Sequence, residues 1–188
     1  MKSSKTNSKR VLAIDPTSRG FGFVVLESPT TPVDWGVRSA RPKEETKALA
    51  KVLELIRHYL PEIIVLEDHR ESRRCARVQS LLDGVSRLVV REGLKNRCIP
   101  ISRVKKIFRT FRANTKHEIA HAVAQQLPEL APWLPPYRKP WMSEDYRMAI
   151  FDAAALALTY FQSRPVRHGG ESKESPVQTK PTLLADSS

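Results

Sequence analysis

Three short apolar runs stand near the start of the sequence. The first is VLAID, from Val11 to Asp15, and a turn containing Gly20 leads from it into GFGFVVLE. A third extended piece covers Val33 to Ala40. Short runs of β-branched and aromatic residues between turn residues are typical of strands. The sequence therefore predicts an antiparallel meander of three strands.

Helical periodicity begins after the meander. From Lys43 to Leu60 apolar residues recur at the spacing of one helix face, and Pro61 ends the pattern. The residues expected on the buried side are Ala48, Val52, Leu53, Leu55, Ile56 and Leu60. The next run, IIVLE from Ile63 to Glu67, stays apolar until its last residue, which is typical of a central strand.

The middle of the sequence predicts a basic helix and a fifth strand. The helix runs from about Ala76 to Glu92 and ends at Gly93. A short strand is expected from Cys98 to Ser102, with a helical turn from Val104 to Phe108.

Two helices are predicted in the last third. Thr115 and Glu118 form a capping-box pattern that places Lys116 in the first turn of the first of these helices. A proline-rich loop follows, and the last helix is expected to begin near Ser143 and to end at about Gln162.

The element order defines a fold class. Three antiparallel strands followed by strands reached through crossover helices predict an α/β protein. Its mixed five-stranded sheet would contain three antiparallel strands and then two parallel ones, with helices on both faces.

Length and composition suit one domain with two tails. The chain has 188 residues, and we expect a folded domain over 10–162 between disordered tails at 1–9 and 163–188. No apolar stretch is long enough to span a bilayer, and the start lacks the apolar core of a secretory signal. A soluble, cytoplasmic protein is expected, with Cys75 and Cys98 as free thiols.

The charge is strongly positive and unevenly distributed. The formal net charge is +12, and the segment from Arg70 to Lys116 holds fourteen basic and three acidic residues. Such an excess favours a polyanionic partner, and we interpret the segment as a surface that binds a phosphate backbone. Solvated helix faces are the alternative explanation for most of these residues taken singly.

Three carboxylates lie inside otherwise apolar elements. Asp15 and Glu67 each close an apolar strand, and Asp152 lies in IFDAAALAL. Burying a carboxylate is costly without a partner, and the carboxyl ends of two central strands could bring these three together. Oxygen ligands of this kind suit Mg²⁺ or Mn²⁺ and predict metal-assisted phosphodiester hydrolysis. Singly, each carboxylate could instead belong to a turn, a helix cap or a local ion pair.

The stretches VLAIDPTSRGFGFVVLE, IIVLED and DAAALALTYF together resemble the ribonuclease-H-like fold, and most closely the RuvC-type Holliday junction resolvases. The resemblance covers about residues 10–162. It implies that Asp15, Glu67 and Asp152 hold the divalent metal, that Lys116 lies near the scissile phosphate, and that Lys105 lies on the DNA path.

The resemblance also implies branched DNA as substrate and a homodimer, because paired symmetric incisions need two sites. From the basic segment we expect DNA contacts from Lys105, Lys106, Arg73, Arg74, Arg77, Arg109 and Arg112.

One position departs from the family pattern. The family usually has a second acidic or histidine ligand one helical turn before the last aspartate, and here that residue is Ala149. Asp145 is a possible replacement, but helical side chains lean towards the N-terminus, so it would point away from Asp152. Ser143 as a helix cap, followed by Glu144 and Asp145 in the positive first turn, explains both acids without catalysis.

The leading hypothesis is thus a metal-dependent endonuclease that cleaves branched DNA. Two alternatives stay open. One is an RNA-processing or structure-tolerant nuclease of the same fold, and the other is a DNA-binding module whose catalysis is impaired.

Overall fold

A five-stranded sheet forms the centre of the molecule. The structure is a computed structural model and describes residues 10–41, 44–68, 75–139 and 141–163. The strands are β1 (Val11–Thr17), β2 (Gly20–Ser28), β3 (Thr31–Ser39), β4 (Ile63–Glu67) and β5 (Lys95–Ile99). The helices are α1 (Glu45–Tyr59), α2 (Ala76–Arg91), α3 (Ile101–Phe108), α4 (Lys116–Gln126) and α5 (Met148–Gln162).

The strand order is β3-β2-β1-β4-β5. The first three strands of the chain pair antiparallel, whereas β4 pairs parallel with both β1 and β5. Helices α1 and α2 make the two crossovers that parallel pairing requires. This arrangement confirms the predicted fold class.

The position of the fifth strand was predicted wrongly. It covers Lys95–Ile99 rather than 98–102, and Pro100 is the N-cap residue of α3. Strand β5 is an edge strand that is exposed up to Cys98, so it carries no alternation of apolar and polar residues that would locate it. Proline lacks the N–H that a strand ladder uses and is well suited to the start of a helix, so the chain turns into α3 there.

The start of the last helix was also predicted wrongly. Helix α5 begins at Met148, and its N-cap residue is Arg147 rather than Ser143. Asp145 accepts hydrogen bonds from the backbone N–H and the guanidinium of Arg147. The acids at 144 and 145 therefore precede the helix and do not belong to its first turn.

Two hydrophobic layers cover the sheet, and strand alternation sorts the side chains between them. Leu12 and Ile14 of β1 pack towards α1 and α2, whereas Val11 and Ala13 pack towards α3, α4 and α5. Because side chains alternate across a strand, the next residue, Asp15, faces the α5 layer. In β4, Val65 packs in the α5 layer and Leu66 in the other, so Glu67 faces the α5 layer as well.

Helix α5 approaches the sheet very closely. It is buried over nearly its whole length and packs on β1 and β2. Gly22 lies opposite Asp15 in the ladder, and a Cβ added to Gly22 would overlap the backbone carbonyl of Ala149. The glycine therefore sets the depth at which α5, and Asp152 with it, lies against the strands.

Some sequence predictions fall outside this description. Residues 1–9 and 164–188 of the expected tails lie outside the described residues, as do Arg73 and Arg74. Cys75 and Cys98 are not joined in a disulfide, as expected. In the described ranges, no helix combines the length and apolarity needed to cross a membrane.

We predict that Gly22→Ala lowers the free energy of unfolding by about 1–3 kcal/mol, because the new methyl group meets backbone that cannot rotate away. Urea unfolding of the purified variant measures this. Gly36→Ala is the matched control, since its nearest neighbour is the Phe23 ring, 3.3 Å from the new Cβ. Equal stability of the two variants would contradict the tight helix–sheet contact.

Candidate active site

A cavity of about 510 Å³ opens beside the carboxyl ends of β1 and β4. Both strand-end carboxylates line it, together with Asp152 from α5 and two lysines. Its lining residues are Asp15, Glu67, Ile101, Val104, Lys105, Asn114, Thr115, Lys116, Ile119, Asp152, Ala155 and Leu156. The structure thus brings together all four residues that the sequence assigns to catalysis.

Asp15 and Glu67 are adjacent and deeply buried. The parallel register pairs Ile14 with Leu66, so the residues that follow, Asp15 within β1 and Glu67 at the end of β4, lie side by side. They are 2% and 4% exposed, respectively. Two such carboxylates are sustained only where positive charge or hydrogen-bond donors surround them.

A capping box fixes the start of α4 at the edge of the cavity. The backbone N–H of Glu118 donates to Oγ1 of Thr115 at 3.2 Å, and the N–H of Thr115 donates to Oε2 of Glu118 at 2.9 Å. Oε2 of Glu118 also accepts from the N–H of Asn114 at 2.7 Å. The predicted cap is confirmed, and it makes Lys116 the first residue of the helix.

Lys116 forms ion pairs with two carboxylates. Its Nζ lies 2.8 Å from Oδ2 of Asp152 and 2.5 Å from Oε1 of Glu144. Burial alone would lower the pKa of this ammonium, but the charges and hydrogen bonds of Asp152 and Glu144 outweigh burial and raise the pKa above its ordinary value. Lys116 is therefore a fixed positive charge.

Glu144 is a site residue that sequence reasoning did not find. The sequence pattern assigned it to a helix start, whereas it lies in an irregular segment that returns to the start of α4. Glu144 lies 28 positions after Lys116 in the sequence, and no helical or strand periodicity connects positions across such a loop. The local sequence carries no signal for this contact.

Asp145 pairs with Arg147, whereas its neighbour Glu144 pairs with Lys116. Oδ2 of Asp145 lies 2.7 Å from Nη2 of Arg147, and the hydrogen bonds from Arg147 lower the pKa of this carboxyl. Asp145 is not part of the cavity lining. Its proposed role as a metal ligand gains no support from this contact.

The donor chemistry of the cavity fits a divalent cation. Three carboxylates, two of them buried, are the oxygen ligands that Mg²⁺ and Mn²⁺ prefer. Among the described residues, however, no three His, Cys, Asp or Glu side chains lie close enough together to hold an ion. Asp152 forms an ion pair with Lys116, so a cation would have to displace the Lys116 ammonium to bind this carboxylate.

The expected DNA-contacting residues that the structure describes do not all line the cavity. Lys105 lines the cavity, whereas Lys106 lines a separate depression near the end of α5. Arg77 donates to the backbone carbonyls of Ala40 and Arg41, which ties α2 to the end of the meander. Arg109 and Arg112 are exposed beyond α3.

No protein-family model matches the chain, and no curated protein matches it either. Solved structures do. RuvC of Thermus thermophilus in complex with a Holliday junction substrate is 22% identical, with a TM-score of 0.59 and coverage of 81% of this chain and 93% of that one. The chain has a RuvC-like fold. A second T. thermophilus RuvC structure is 22% identical, with a TM-score of 0.58 and coverage of 80% and 92%. The fold expected from the RuvC resemblance is confirmed.

We predict that Thr115→Ala lowers the free energy of unfolding by about 1 kcal/mol, because the N–H of Glu118 loses its acceptor. Urea unfolding checks this value. Thr115→Ser keeps the hydroxyl and should lie close to the wild type. A Thr115→Ala variant as stable as Thr115→Ser would show that the side-chain cap contributes nothing to the stability of the fold.

Proposed function

We propose that the chain is a divalent-metal-dependent endonuclease that cleaves branched DNA. The observation that carries this proposal is the burial of Asp15 and Glu67 side by side, in one cavity with Asp152 and Lys116, on a RuvC-like sheet. A domain that only bound DNA would gain nothing from burying adjacent carboxylates. The stability that is lost by burying Asp15 and Glu67 is explained if the two carboxylates take part in catalysis.

Four charged residues of the cavity have roles in the proposed chemistry. Once Lys116 is displaced from Asp152, Asp15, Glu67 and Asp152 would hold the cation, which when bound activates water and stabilises charge on the scissile phosphate. Lys116 keeps its proton, because neighbouring carboxylates raise its pKa, and so offers a positive charge to a phosphate oxygen rather than acting as a base.

The substrate class is part of the proposal. The similar RuvC structure was determined with a Holliday junction substrate, and the basic character of this chain suits a polyanion. Lys105 lies on α3 at the same cavity and would guide the backbone towards the carboxylates. A homodimer would place two such cavities on one junction, which paired incisions require.

A second function is favoured by one observation. Ala149 stands where the RuvC family usually has a further ligand, and no described trio of carboxylates is close enough to hold an ion. These facts suit a junction-binding module with impaired catalysis. Junction binding without cleavage in Mg²⁺ or Mn²⁺ would support that module, and cleavage of RNA or linear duplex in preference to junctions would support a different nuclease.

We predict that Asp15→Asn abolishes cleavage of a synthetic four-way junction and leaves junction binding intact. The amide keeps the shape of the side chain but removes the charge needed to hold a cation beside Glu67. Single-turnover cleavage in Mg²⁺ and in Mn²⁺, with a gel-shift assay in Ca²⁺, separates the two effects. Cleavage at the wild-type rate would refute the proposed site.

We predict that Lys105→Gln weakens junction binding and lowers the slope of log affinity against log salt by about 1, as expected for one lost phosphate contact. A salt titration of binding measures both quantities. Lys47→Gln is the control, because it removes the same charge from α1 on the opposite layer. Equal slopes for the two variants would place Lys105 off the DNA path.

A further inference from the structure

Lys116 bridges an acid of the catalytic cavity and an acid outside its lining. Asp152, on the cavity side, is 21% exposed, whereas Lys116 and Glu144 are about half exposed. Both carboxylates are in direct ion-pair contact with the same ammonium. Glu144 therefore contacts Lys116 from the solvent side and lies outside the cavity lining.

This bridge matters for any cation that binds the carboxylates. A metal ion on Asp152 must replace the ammonium there, and the two positive charges would repel each other at contact distance. Helix α5 offers no second ligand one turn earlier, because that residue is Ala149, packed against Gly22. The free energy needed to break the ion pair between Lys116 and Asp152 is thus a substantial part of the cost of binding a cation at Asp152.

We propose that Glu144 is a positioning residue that retains Lys116 when Asp152 binds a cation. With Glu144 in place, Lys116 gives up one ion pair and keeps the other. It therefore stays beside the cavity, where it can meet a phosphate oxygen. Glu144 and Asp152 share one ammonium, so without Glu144 Lys116 would pair with Asp152 alone, and a cation would displace it less easily. This inference rests on the proposed function, since it assumes a metal at Asp152.

Mn²⁺ binding tests the inference without any need for cleavage. We predict that Glu144→Gln weakens Mn²⁺ binding by about three- to tenfold, the range expected from loss of one partly exposed charged contact. Isothermal titration calorimetry of the full chain gives the dissociation constant. Glu129→Gln, at an exposed position between α4 and α5, is the control and should bind Mn²⁺ like the wild type.

A double-mutant cycle separates Glu144 acting through Lys116 from Glu144 acting on the ion itself. Lys116→Gln frees Asp152 and should tighten Mn²⁺ binding. In that background Glu144→Gln should have no further effect. An equal loss of affinity in both backgrounds, or no loss in either, would overturn the inference. Thermal unfolding without metal shows whether each variant is folded.

Junction cleavage measured on the same proteins distinguishes the two levels of the proposal. An intact Mn²⁺ cycle without junction cleavage by the wild type would leave Glu144 as the positioning residue and remove the nuclease assignment. Wild-type cleavage together with unchanged Mn²⁺ binding by Glu144→Gln would keep the nuclease assignment and remove the positioning role of Glu144. In an active enzyme, Glu144→Gln should raise the Mn²⁺ concentration that gives half-maximal cleavage.

Discussion

The burial of Asp15 beside Glu67 is the constraint on which the rest of the site depends. Two carboxylates at the ends of neighbouring strands repel each other, and taking them out of water costs several kcal/mol for each charge. The same cavity presents Lys105 and Lys116, whose positive charges oppose this repulsion. In the proposed function the two carboxylates attract a cation into this cavity.

Sheet geometry gives the two carboxylates a common direction. The parallel register of β1 and β4 places Asp15 and Glu67 at the same level, and alternation turns both side chains towards α5. The close contact between Gly22 and Ala149 then fixes how deep α5 lies. A backbone contact opposite Asp15 therefore controls where Asp152 stands.

Local signals in the sequence predicted most of this arrangement, and tertiary contacts account for the rest. The end of β4 at Glu67 and the cap at Thr115 depend on residues a few positions apart, so both could be predicted directly, whereas β1 continues two residues beyond its predicted end at Asp15. The edge strand β5 has no buried face pattern, and the start of α5 is set by the pairing of Asp145 with Arg147. The contact of Glu144 with Lys116 depends on how an irregular segment folds back, which no periodicity encodes.

The structure also changes the interpretation of the positive charge. The sequence predicted that the segment 70–116 forms one DNA-binding surface, but Arg77 donates to a loop carbonyl and Lys106 lines a different depression. Among its described basic residues, Lys105 and Lys116 line the cavity. Long-range attraction of a polyanion needs only the net charge, whereas placing one phosphate needs a lysine held at a fixed point. In the proposed function Lys116 would meet that need, because the cap fixes its backbone and two carboxylates fix its ammonium.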